Sequence, residues 1–436
     1  MMNNTSPITL ILFYCGQRTG NFGAGSHIGS LLPFIKEERS IRFIVIQTDD
    51  KDAERVGFEK IDGVEVLRIP QPENKLFLAS AQDFIQQTYA KRLVEIIYPY
   101  IKEIDNPVFW VNSIDYLNVC FELKEHLDCQ LLYVHHAWSW KIHYNVCDED
   151  FVRIYRKNGS PNASTAIEFT RYQQAIAMLA DQVVTVTDQA KSFFTRYLDV
   201  PTEKVSTIYN GIDMKSSSGK IDKSALRKRL GIPEGEKVIL FTGRIKADKG
   251  LGYLLEAFKK VLEVEPTCRL VLVGKGDFDE FIPLVYPYST KVTFTGKLPK
   301  EEVNDWYRLA DVGVLPSLHE QCSYTAIEMR FFQIPIIVSS VEGLEDMFRH
   351  EHDALKLTIH YDQEGKKTLD SDEIANNILR LCNDQELGIK LKKNGLEEAE
   401  NHFTSHKMWE QYWMLLQEMQ GTHIPLSDRN LELLGK

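Results

Sequence analysis

Short apolar runs alternate with longer amphipathic segments along the first half of the chain. Six runs have the length and composition of strands: Ile8–Tyr14, Arg42–Gln47, Val64–Ile69, Val108–Val111, Leu131–Val134 and Val183–Thr187. Helix-length segments such as Ala81–Ile104 lie between several of them. Continuous apolar strands that alternate with helices are typical of a parallel sheet with both faces buried. The first half is therefore predicted to be an α/β domain.

The second half repeats this alternation without repeating the sequence. Its predicted strands are Val238–Thr242, Arg269–Val273, Val292–Thr295, Val312–Leu315 and Pro335–Ser339. Its predicted helices are Leu251–Glu263, Lys300–Ala310 and Tyr324–Phe332. Open α/β sheets bind ligands beyond the carboxyl ends of their strands. We therefore expect two doubly wound, Rossmann-like domains that face a ligand-binding cleft.

The boundary between the halves is predicted near Thr207–Ser224, where Ser216–Gly219 reads as a small polar linker. The predicted domains are residues 1–206 and 207–404, followed by a tail helix at about 405–420. Trp409, Tyr412 and Trp413 on this helix would anchor it to the first domain, and packing on the second domain is the alternative.

Composition narrows the class of protein. Of 436 residues, 43% are hydrophobic and 26% charged, which excludes a disordered chain, a collagen-like fibre and a disulfide miniprotein. The net charge of −11 makes nucleic acid a poor partner. Seven cysteines with wide spacing and no C-x-x-C favour reduced thiols and a cytoplasmic location. No apolar run is long enough for a transmembrane segment, and peripheral membrane contact stays open.

The segment from Pro316 to Glu328 follows a predicted strand and opens a predicted helix. Glu320 would lie in the loop and Glu328 in the first turns of the helix. A helix N-terminus near Ser323–Thr325 favours a phosphate, and carboxylates can accept hydrogen bonds from sugar hydroxyls. The alternative is structural, because Thr325-x-x-Glu328 is also a capping-box pattern.

A second loop, Gly243–Gly250, joins the strand Val238–Thr242 to the helix Leu251–Glu263 and carries Arg244 and Lys249. Arginine can grip phosphate oxygens in a bidentate fork, and lysine supplies a compact charge. The two side chains could neutralise a diphosphate without a metal. A solvated basic loop is the alternative, and the position at a strand end favours the functional interpretation.

These segments resemble the retaining GT-B glycosyltransferases of family four (glycosyl transferases group 1). The motifs that carry the resemblance are Ile208–Asp213, Gly243-Arg244…Lys249-Gly250, Leu272-Val273-Gly274-x-Gly276, Phe294-x-Gly296 and Pro316-Ser317…Glu320…Glu328. They cover most of residues 205–360 in the family's order. The N-terminal domain would then bind the acceptor and the C-terminal domain the nucleotide-sugar donor.

The resemblance implies a role for each matched residue. Arg244 and Lys249 would bind the donor diphosphate, Glu328 the ribose hydroxyls, and Glu320 the transferred sugar. The catalytic residues it implies are His135, Glu320, Arg244 and Lys249. The donor-binding residues it implies are Gly23, Gly243, Arg244, Lys249, Gly274, Gly296, Leu298, Ser323, Tyr324, Thr325 and Glu328. The implied reaction retains the anomeric configuration and needs no metal and no cofactor, and a UDP-sugar is the favoured donor.

Acceptor contacts are expected first in the aromatic segment after the strand Leu131–Val134. His136, Trp138 and Trp140 are the candidates because aromatic faces stack on sugar rings, and the alternative is that the segment packs on its own domain. A glycan, a lipid carrier, a peptide and a small molecule all stay open as acceptors. The D-x-D strings, of which only Asp50–Asp52 is plausibly placed, are interpreted as chance.

Two departures from the family pattern leave other functions open. Gln321–Tyr324 replaces a small, glycine-rich stretch, and Phe332–Ile334 replaces Ala-x-Gly. Since lost glycines reduce the room for backbone to approach a sugar, the identity of the donor is uncertain. The alternatives are a non-catalytic GT-B partner subunit and another GT-B enzyme, such as a nucleotide-sugar epimerase.

Overall fold

The computed structural model describes residues 7–15, 23–71, 83–157, 164–214 and 222–421. Contacts divide the chain into two compact units. The first holds the described residues up to Ser139, those from Ser164 to Ile208, and those from Met408 onward. The second holds residues 140–157 and 209–407. The predicted linker Ser216–Gly219 lies outside the described residues.

An eight-stranded sheet forms the centre of the first unit. Its strands are β1 (Ile8–Cys15), β2 (Ile41–Asp50), β3 (Gly57–Ile61), β4 (Val64–Pro70), β5 (Val108–Val111), β6 (Gln130–His135), β7 (Gln182–Thr185) and β8 (Val205–Thr207). Their order is β3-β4-β2-β1-β5-β6-β7-β8, and all neighbours are parallel except β3 and β4. The order reverses between β1 and β5, which makes the carboxyl ends of these strands the switch point of a doubly wound sheet.

The helices of the first half, in chain order, are α1 (Gly23–Glu37), α2 (Asp83–Ile101), α3 (Leu117–His126), α4 (Ser139–Tyr144), α5 (Asp148–Lys157), α6 (Thr165–Leu179) and α7 (Asp188–Tyr197). Of these, α5 and all of α4 except Ser139 belong to the second unit. Consecutive apolar residues of the central strands, such as Leu10 and Ile11 of β1 and Val108 and Phe109 of β5, are fully buried, as expected for strands covered on both faces.

The second unit is built on a six-stranded parallel sheet. Its strands are β9 (Lys237–Thr242), β10 (Cys268–Val273), β11 (Val292–Gly296), β12 (Val312–Leu315), β13 (Ile336–Ser339) and β14 (Leu355–Leu357). Their order, β11-β10-β9-β12-β13-β14, is the 3-2-1-4-5-6 order of a Rossmann sheet. A small hairpin, β15 (His360–Tyr361) and β16 (Lys367–Thr368), follows. The switch point lies between the carboxyl ends of β9 and β12.

The remaining helices complete the second unit and end the described chain. They are α8 (Lys223–Leu230), α9 (Leu251–Val264), α10 (Ile282–Val285), α11 (Lys300–Leu309), α12 (Tyr324–Phe331), α13 (Glu342–Met347), α14 (Ser371–Asn383), α15 (Gln385–His402) and α16 (Ser405–Gly421). The predicted strands and helices are present within a few residues of their predicted ends. The strands β8 and β14 were not predicted because they have only three residues each, and the edge strand β3 was not predicted because it is mostly exposed and carries no apolar run.

The predicted return of the tail helix to the first unit is confirmed. Met408, Trp409 and Tyr412 of α16 are buried in the apolar core of that unit. The Tyr412 hydroxyl lies 2.8 Å from Nε2 of His27 in α1. Apolar burial of these large side chains is what fixes the helix to this unit.

One segment differs from the predicted domain boundary. Residues 140–157 precede residue 206, yet they cluster with the second unit. Lys141 there bonds to Glu342, and the Asn145 side chain donates to the Lys367 carbonyl oxygen at 3.1 Å. Such long-range polar pairs leave no signal in sequence periodicity, which is why the boundary prediction missed this segment.

Candidate functional site

The loops that follow β9 and β12 meet at the switch point of the second sheet. Gly250 has a φ of +68°, and a Cβ atom placed on it would lie 1.8 Å from the carbonyl oxygen of Pro316. Only glycine allows this backbone conformation together with this approach. The Leu318 N–H also donates to the carbonyl oxygen of Asp248 at 2.9 Å. The two loops that were predicted to bind a phosphate are therefore held together by backbone contacts.

The loop after β10 packs against the same site. A Cβ atom on Gly274 would lie 1.7 Å from the carbonyl oxygen of Gly243, and the φ of Gly274 is +155°. The N–H of Gly274 donates to the carbonyl oxygen of Gly296 at 3.0 Å. Three of the predicted donor-binding glycines thus line adjacent strand ends, where backbone can approach a ligand closely.

The predicted catalytic residues of the second unit lie together. Lys249 is nearly buried, and its Nζ donates to Oε2 of Glu320 at 2.7 Å and to the His319 carbonyl oxygen at 3.2 Å. Arg244 is exposed over 48% of its side chain and pairs with Asp248 at 3.4 Å. The exposed pair is weakly held because water screens it, so the Arg244 guanidinium is available to an anion.

Glu320 is fixed through its backbone as well as its side chain. Its N–H donates to Oε2 of Glu342 at 3.3 Å, and its carbonyl oxygen accepts from the Gly343 N–H at 3.2 Å. His319 beside it donates Nδ1–H to the same Glu342 oxygen at 3.3 Å. Burial lowers the pKa of His319, and the hydrogen bond to Glu342 opposes this shift only in part.

Glu342 belongs to a buried charge cluster that the sequence did not indicate. Its Oε1 accepts from Nζ of Lys141 at 3.1 Å and from Nζ of Lys367. Lys141 also bonds to Asp148 at 2.6 Å. Burial alone would raise the pKa of Glu342, but Lys141, His319 and Lys367 outweigh it and hold this pKa below its usual value. The three partners of Glu342 lie 23 to 201 positions from it along the chain, so no local pattern could have revealed them.

Glu328 on α12 is held by two neighbours from α11. Lys300 pairs with Oε1, and the Tyr307 hydroxyl donates to Oε2 at 2.7 Å. The Tyr307 oxygen also lies 3.0 Å from Oγ1 of Thr242 at the end of β9. A carboxylate has about four acceptor positions, so Glu328 can still accept hydrogen bonds from a ligand. Lys300 lies two positions after Leu298 in the sequence, so the predicted donor contact at Leu298 is next to a residue that pairs with Glu328.

The N-terminus of α12 carries the remaining predicted donor contacts. Ser323 is the N-cap of α12, and its side chain accepts from the Ala326 N–H at 3.4 Å. The Tyr324 hydroxyl is buried, and in the described part of the chain it has no hydrogen-bond partner. Burial raises the pKa of Tyr324 well above its usual value. Asn210 donates to the Cys322 carbonyl oxygen at 2.9 Å and so fixes the start of this turn.

The structure does not favour the histidine assignment in the first unit. His135 is only 1% exposed and contacts the rings of Trp138 and Phe194, at centroid distances of 4.1 and 5.0 Å. Burial lowers its pKa to about 3. This enclosure favours a core role for His135 over the predicted contact with the sugar. At the strand end, side chains of successive residues point to opposite sides, and His135 takes the inner one.

His136 takes the outer position and is partly exposed. Its Nε2–H donates to Oδ1 of Asn112, which follows β5, at 2.8 Å. Its ring also meets the ring of His27 edge-on at 5.0 Å. Burial and the neighbouring His27 and His135 hold the pKa of His136 well below its usual value. A neutral histidine therefore lies near the switch point of the first sheet.

The prediction that Trp138 and Trp140 stack on an acceptor also needs correction. Both indoles are completely buried. Trp138 packs on Phe193 and Phe194, and Trp140 stacks on Phe151 with ring centroids 4.0 Å apart. Protein covers their faces, as the structural alternative stated. Aromatic composition alone does not distinguish a stacking platform from a core.

Three other predicted features are placed as follows. Gly23 is the first residue of α1, and residues 16–22 before it lie outside the described residues. The Asp50 carboxylate accepts from Arg68 at 2.5 Å, a salt bridge that occupies the one plausible D-x-D position. Among the described residues, no helix is long and apolar enough to cross a bilayer.

Comparisons with known sequences match this unit. A family model, Glycosyl transferases group 1, matches residues 222–398. An uncharacterized glycosyltransferase from Methanocaldococcus jannaschii is 35% identical over 176 residues, which is 39% of this chain and 45% of that protein. A D-inositol 3-phosphate glycosyltransferase from Thermobifida fusca is 29% identical over 194 residues, which is 42% of this chain and 44% of that protein. The chain thus spans less than half the length of these relatives.

Solved structures match almost the whole chain. Sucrose-phosphate synthase from Thermosynechococcus elongatus superimposes with a TM-score of 0.70 at 21% identity, over 95% of this chain and 99% of that one. The Anabaena protein HepE in complex with UDP and glucose gives a TM-score of 0.66 at 16% identity, over 94% and 100%. At these identities the likeness concerns the fold.

Two parallel Rossmann-like sheets and a tail helix that joins the first of them define a GT-B fold, as the structural neighbours do. The predicted fold class is confirmed. Within this fold, Arg244, Lys249, Glu320 and Glu328 all lie in the segment 222–398 that matches the glycosyl transferases group 1 family.

Proposed function

We propose that the protein is a glycosyltransferase that moves a sugar from a nucleotide diphosphate sugar to an acceptor hydroxyl. One observation carries this proposal: Arg244, Lys249, Glu320 and Glu328 converge at the switch point of the second sheet, between the ends of β9 and β12. Ligands of doubly wound sheets bind at such points. A diphosphate and two hydroxylated rings together match a site of two cations and two carboxylates.

The chemistry follows from where charge develops. As the bond between the sugar and the diphosphate breaks, negative charge grows on the leaving phosphate oxygens. Arg244, Lys249 and the first backbone N–H groups of α12 would stabilise that charge. Lys249 is already oriented by Glu320 at 2.7 Å, so little reorganisation is needed when the donor binds.

Glu328 and Glu320 would recognise the two sugar rings. Both carboxylates keep acceptor positions beyond the bonds they make here, and each is oriented by a lysine. We assign Glu328 to the ribose and Glu320 to the transferred sugar. The buried Tyr324 hydroxyl, which lacks a partner in the described part of the chain, would gain one from the donor.

In the first unit, we assign the contact with the sugar to His136 instead of His135. Only His136 is partly exposed, and Asn112 orients its ring. Its lowered pKa keeps it neutral at pH 7, so that it can exchange hydrogen bonds with a hydroxyl without carrying a charge.

A UDP-sugar is the favoured donor, and the transfer would retain the anomeric configuration without a metal. The Anabaena protein HepE, a structural neighbour, has been solved in complex with UDP and with UDP-glucose. No protein nucleophile is assigned, and the leaving phosphate would help to deprotonate the acceptor on the same face. The acceptor belongs to glycan, glycoconjugate or peptide biosynthesis.

Thermal-shift measurements with UDP-, GDP- and ADP-sugars test the donor site. A ligand at 100 times its Kd raises the stability of the native state by about 2.7 kcal/mol. We expect one UDP-sugar to raise Tm in the parent but not in Arg244→Ala, and to do so undiminished in the control Arg229→Ala. Arg229 is an exposed, paired arginine of the same unit. A shift that survives Arg244→Ala would contradict the site.

Two further readouts test the finer claims. The anomeric coupling in the NMR spectrum of the product distinguishes retention from inversion. Transfer in the presence of EDTA should equal transfer in its absence, and strict dependence on manganese would contradict a metal-independent reaction.

A further inference from the structure

The loop that carries Glu320 is held by an unusually complete set of backbone contacts. Three consecutive carbonyl oxygens each accept a hydrogen bond: Leu318 from Lys367 at 3.4 Å, His319 from Lys249, and Glu320 from the Gly343 N–H. The Leu318 N–H donates to Asp248, and the Glu320 N–H donates to Glu342. The loop has no helix or strand of its own, so these bonds set its position.

The two oxygens of the Glu342 carboxylate accept hydrogen bonds from different groups. Oε2 accepts from the Glu320 N–H and from His319, so it faces the loop. Oε1 accepts from Lys141 and Lys367, so it faces the buried cations. The two lysines hold the carboxylate charged and oriented, and the oriented carboxylate holds the loop.

Burial makes this arrangement depend on charge balance. The side chains of Lys141, Glu342 and Lys367 are 1%, 4% and 6% exposed. With Asp148, Lys249 and Glu320, the connected cluster contains three cations and three anions, while His319 is kept neutral by burial. A buried charge that loses its partner is costly, so the cluster would rearrange if one lysine were removed.

Within this charge cluster, Lys141 comes from a distant part of the sequence. It lies on α4, in the first half of the sequence, yet it belongs to the second unit with Glu342 and Glu320. Its Nζ also lies 4.7 Å from the centre of the Trp140 ring, and Asp148 of α5 holds it from the other side. The short segment α4–α5 therefore contributes a cation to the underside of the donor loop.

We propose that Lys141 is a positioning residue for the reaction, and that it acts through Glu342 to hold Glu320 against the transferred sugar. This inference rests on the proposed function, because it assigns Glu320 to the donor sugar. Lys141 does not touch the donor. Its removal should therefore impair turnover while leaving nucleotide binding intact.

The test compares Lys141→Met with the parent and with Lys237→Met, a control in the same unit whose lysine pairs with Glu265 away from the loop. We expect Lys141→Met to lower kcat with a UDP-sugar about 10- to 100-fold, the scale of a displacement of about 1 Å. The Kd for UDP alone should change less than about twofold, since none of the proposed nucleotide contacts is removed. Lys237→Met should match the parent in both measurements.

Hydrogen exchange separates this inference from the proposed function, because it needs no activity. In Lys141→Met, the Glu320 amide should exchange at least about 10 times faster than in the parent, while amides of β12 keep their rates. If the Glu320 amide exchanges faster in Lys141→Met but the parent transfers no sugar, the proposed function is refuted and the coupling of Lys141 to the loop stands. Unchanged exchange and unchanged kcat would overturn the inference.

Lys367→Met is the second variant, because its residue lies on the β15–β16 hairpin and contacts the same Glu342 oxygen. The same changes in exchange and kcat are expected. If neither lysine variant folds while Lys237→Met does, the cluster serves the folding of the whole unit rather than the loop, and the inference is likewise overturned.

Discussion

Replacing Gly250 by alanine perturbs the donor site through a single methyl group. The new Cβ would lie 1.8 Å from the Pro316 carbonyl oxygen, and real Cβ contacts are not closer than 3.0 Å. The loops after β9 and β12 must therefore separate by at least about 1.2 Å. Because a misplacement of this size can lower catalysis about 100-fold, we expect a comparable loss in kcat/KM for Gly250→Ala.

Gly231→Ala is the matched control. Gly231 also has a φ of +68°, but nothing lies within 4 Å of the Cβ that would be added there. Both variants place alanine in the left-handed region, which costs about 1 to 2 kcal/mol of folding free energy. Urea unfolding should show this loss for Gly231→Ala and a larger one for Gly250→Ala.

Steady-state kinetics with a UDP-sugar then isolate the contact between the loops. Gly231→Ala should keep the parent kcat/KM, while Gly250→Ala loses most of it. If both variants have the same kinetics and the same free energy of unfolding, the close approach of the two loops does not matter for the site, and the reasoning is refuted.

Three other predictions address single side chains. Glu328→Gln should raise KM for the donor about 10-fold and change kcat less, because a contact with the ribose is made in the ground state and in the transition state alike. The control Glu265→Gln should leave both constants unchanged. Tyr324→Phe should not lower the free energy of unfolding, because the hydroxyl has no partner in the described part of the chain, but should weaken UDP-sugar binding several-fold in calorimetry. The pKa of His135 is about 3 in the folded protein, so its contribution to stability is complete above pH 6.5 and is lost as pH falls toward 3. The free energy of unfolding, measured with urea, should fall by about 2 kcal/mol more in the parent than in His135→Phe when the pH is lowered from 7.5 to 5. An equal fall in both proteins would contradict the burial of a neutral ring.

Much of the fold followed from the sequence because the parallel strands are continuous apolar runs. The strands β9 and β12 and the helix after each were predicted within a few residues, so the loops between them were located as well. Their glycines and charged residues form the candidate site. Arg244, Lys249, Glu320 and Glu328 could be found because each follows a strand or opens a helix.

The rest could not be predicted because it depends on contacts between distant residues. His135 and His136 are adjacent, and only the packing of Trp138 and Phe194 shows that the first ring points inward. Lys141 and Glu342 are 201 positions apart, and their pairing has no periodic signature. The strands β8 and β14 were missed for a related reason, since three residues are too few to show an alternation.

The central claim is that the second unit holds a working donor site, and release of UDP from a UDP-sugar tests it most directly. The purified protein is incubated with UDP-glucose or another UDP-sugar that raises its Tm, and UDP is quantified with time, with and without candidate acceptors. The account predicts UDP release by the parent and by Arg229→Ala, and a loss of about 100-fold or more in Arg244→Ala and Glu320→Ala, which remove groups at the reacting bond. Equal rates in the parent and in these two folded variants would contradict it.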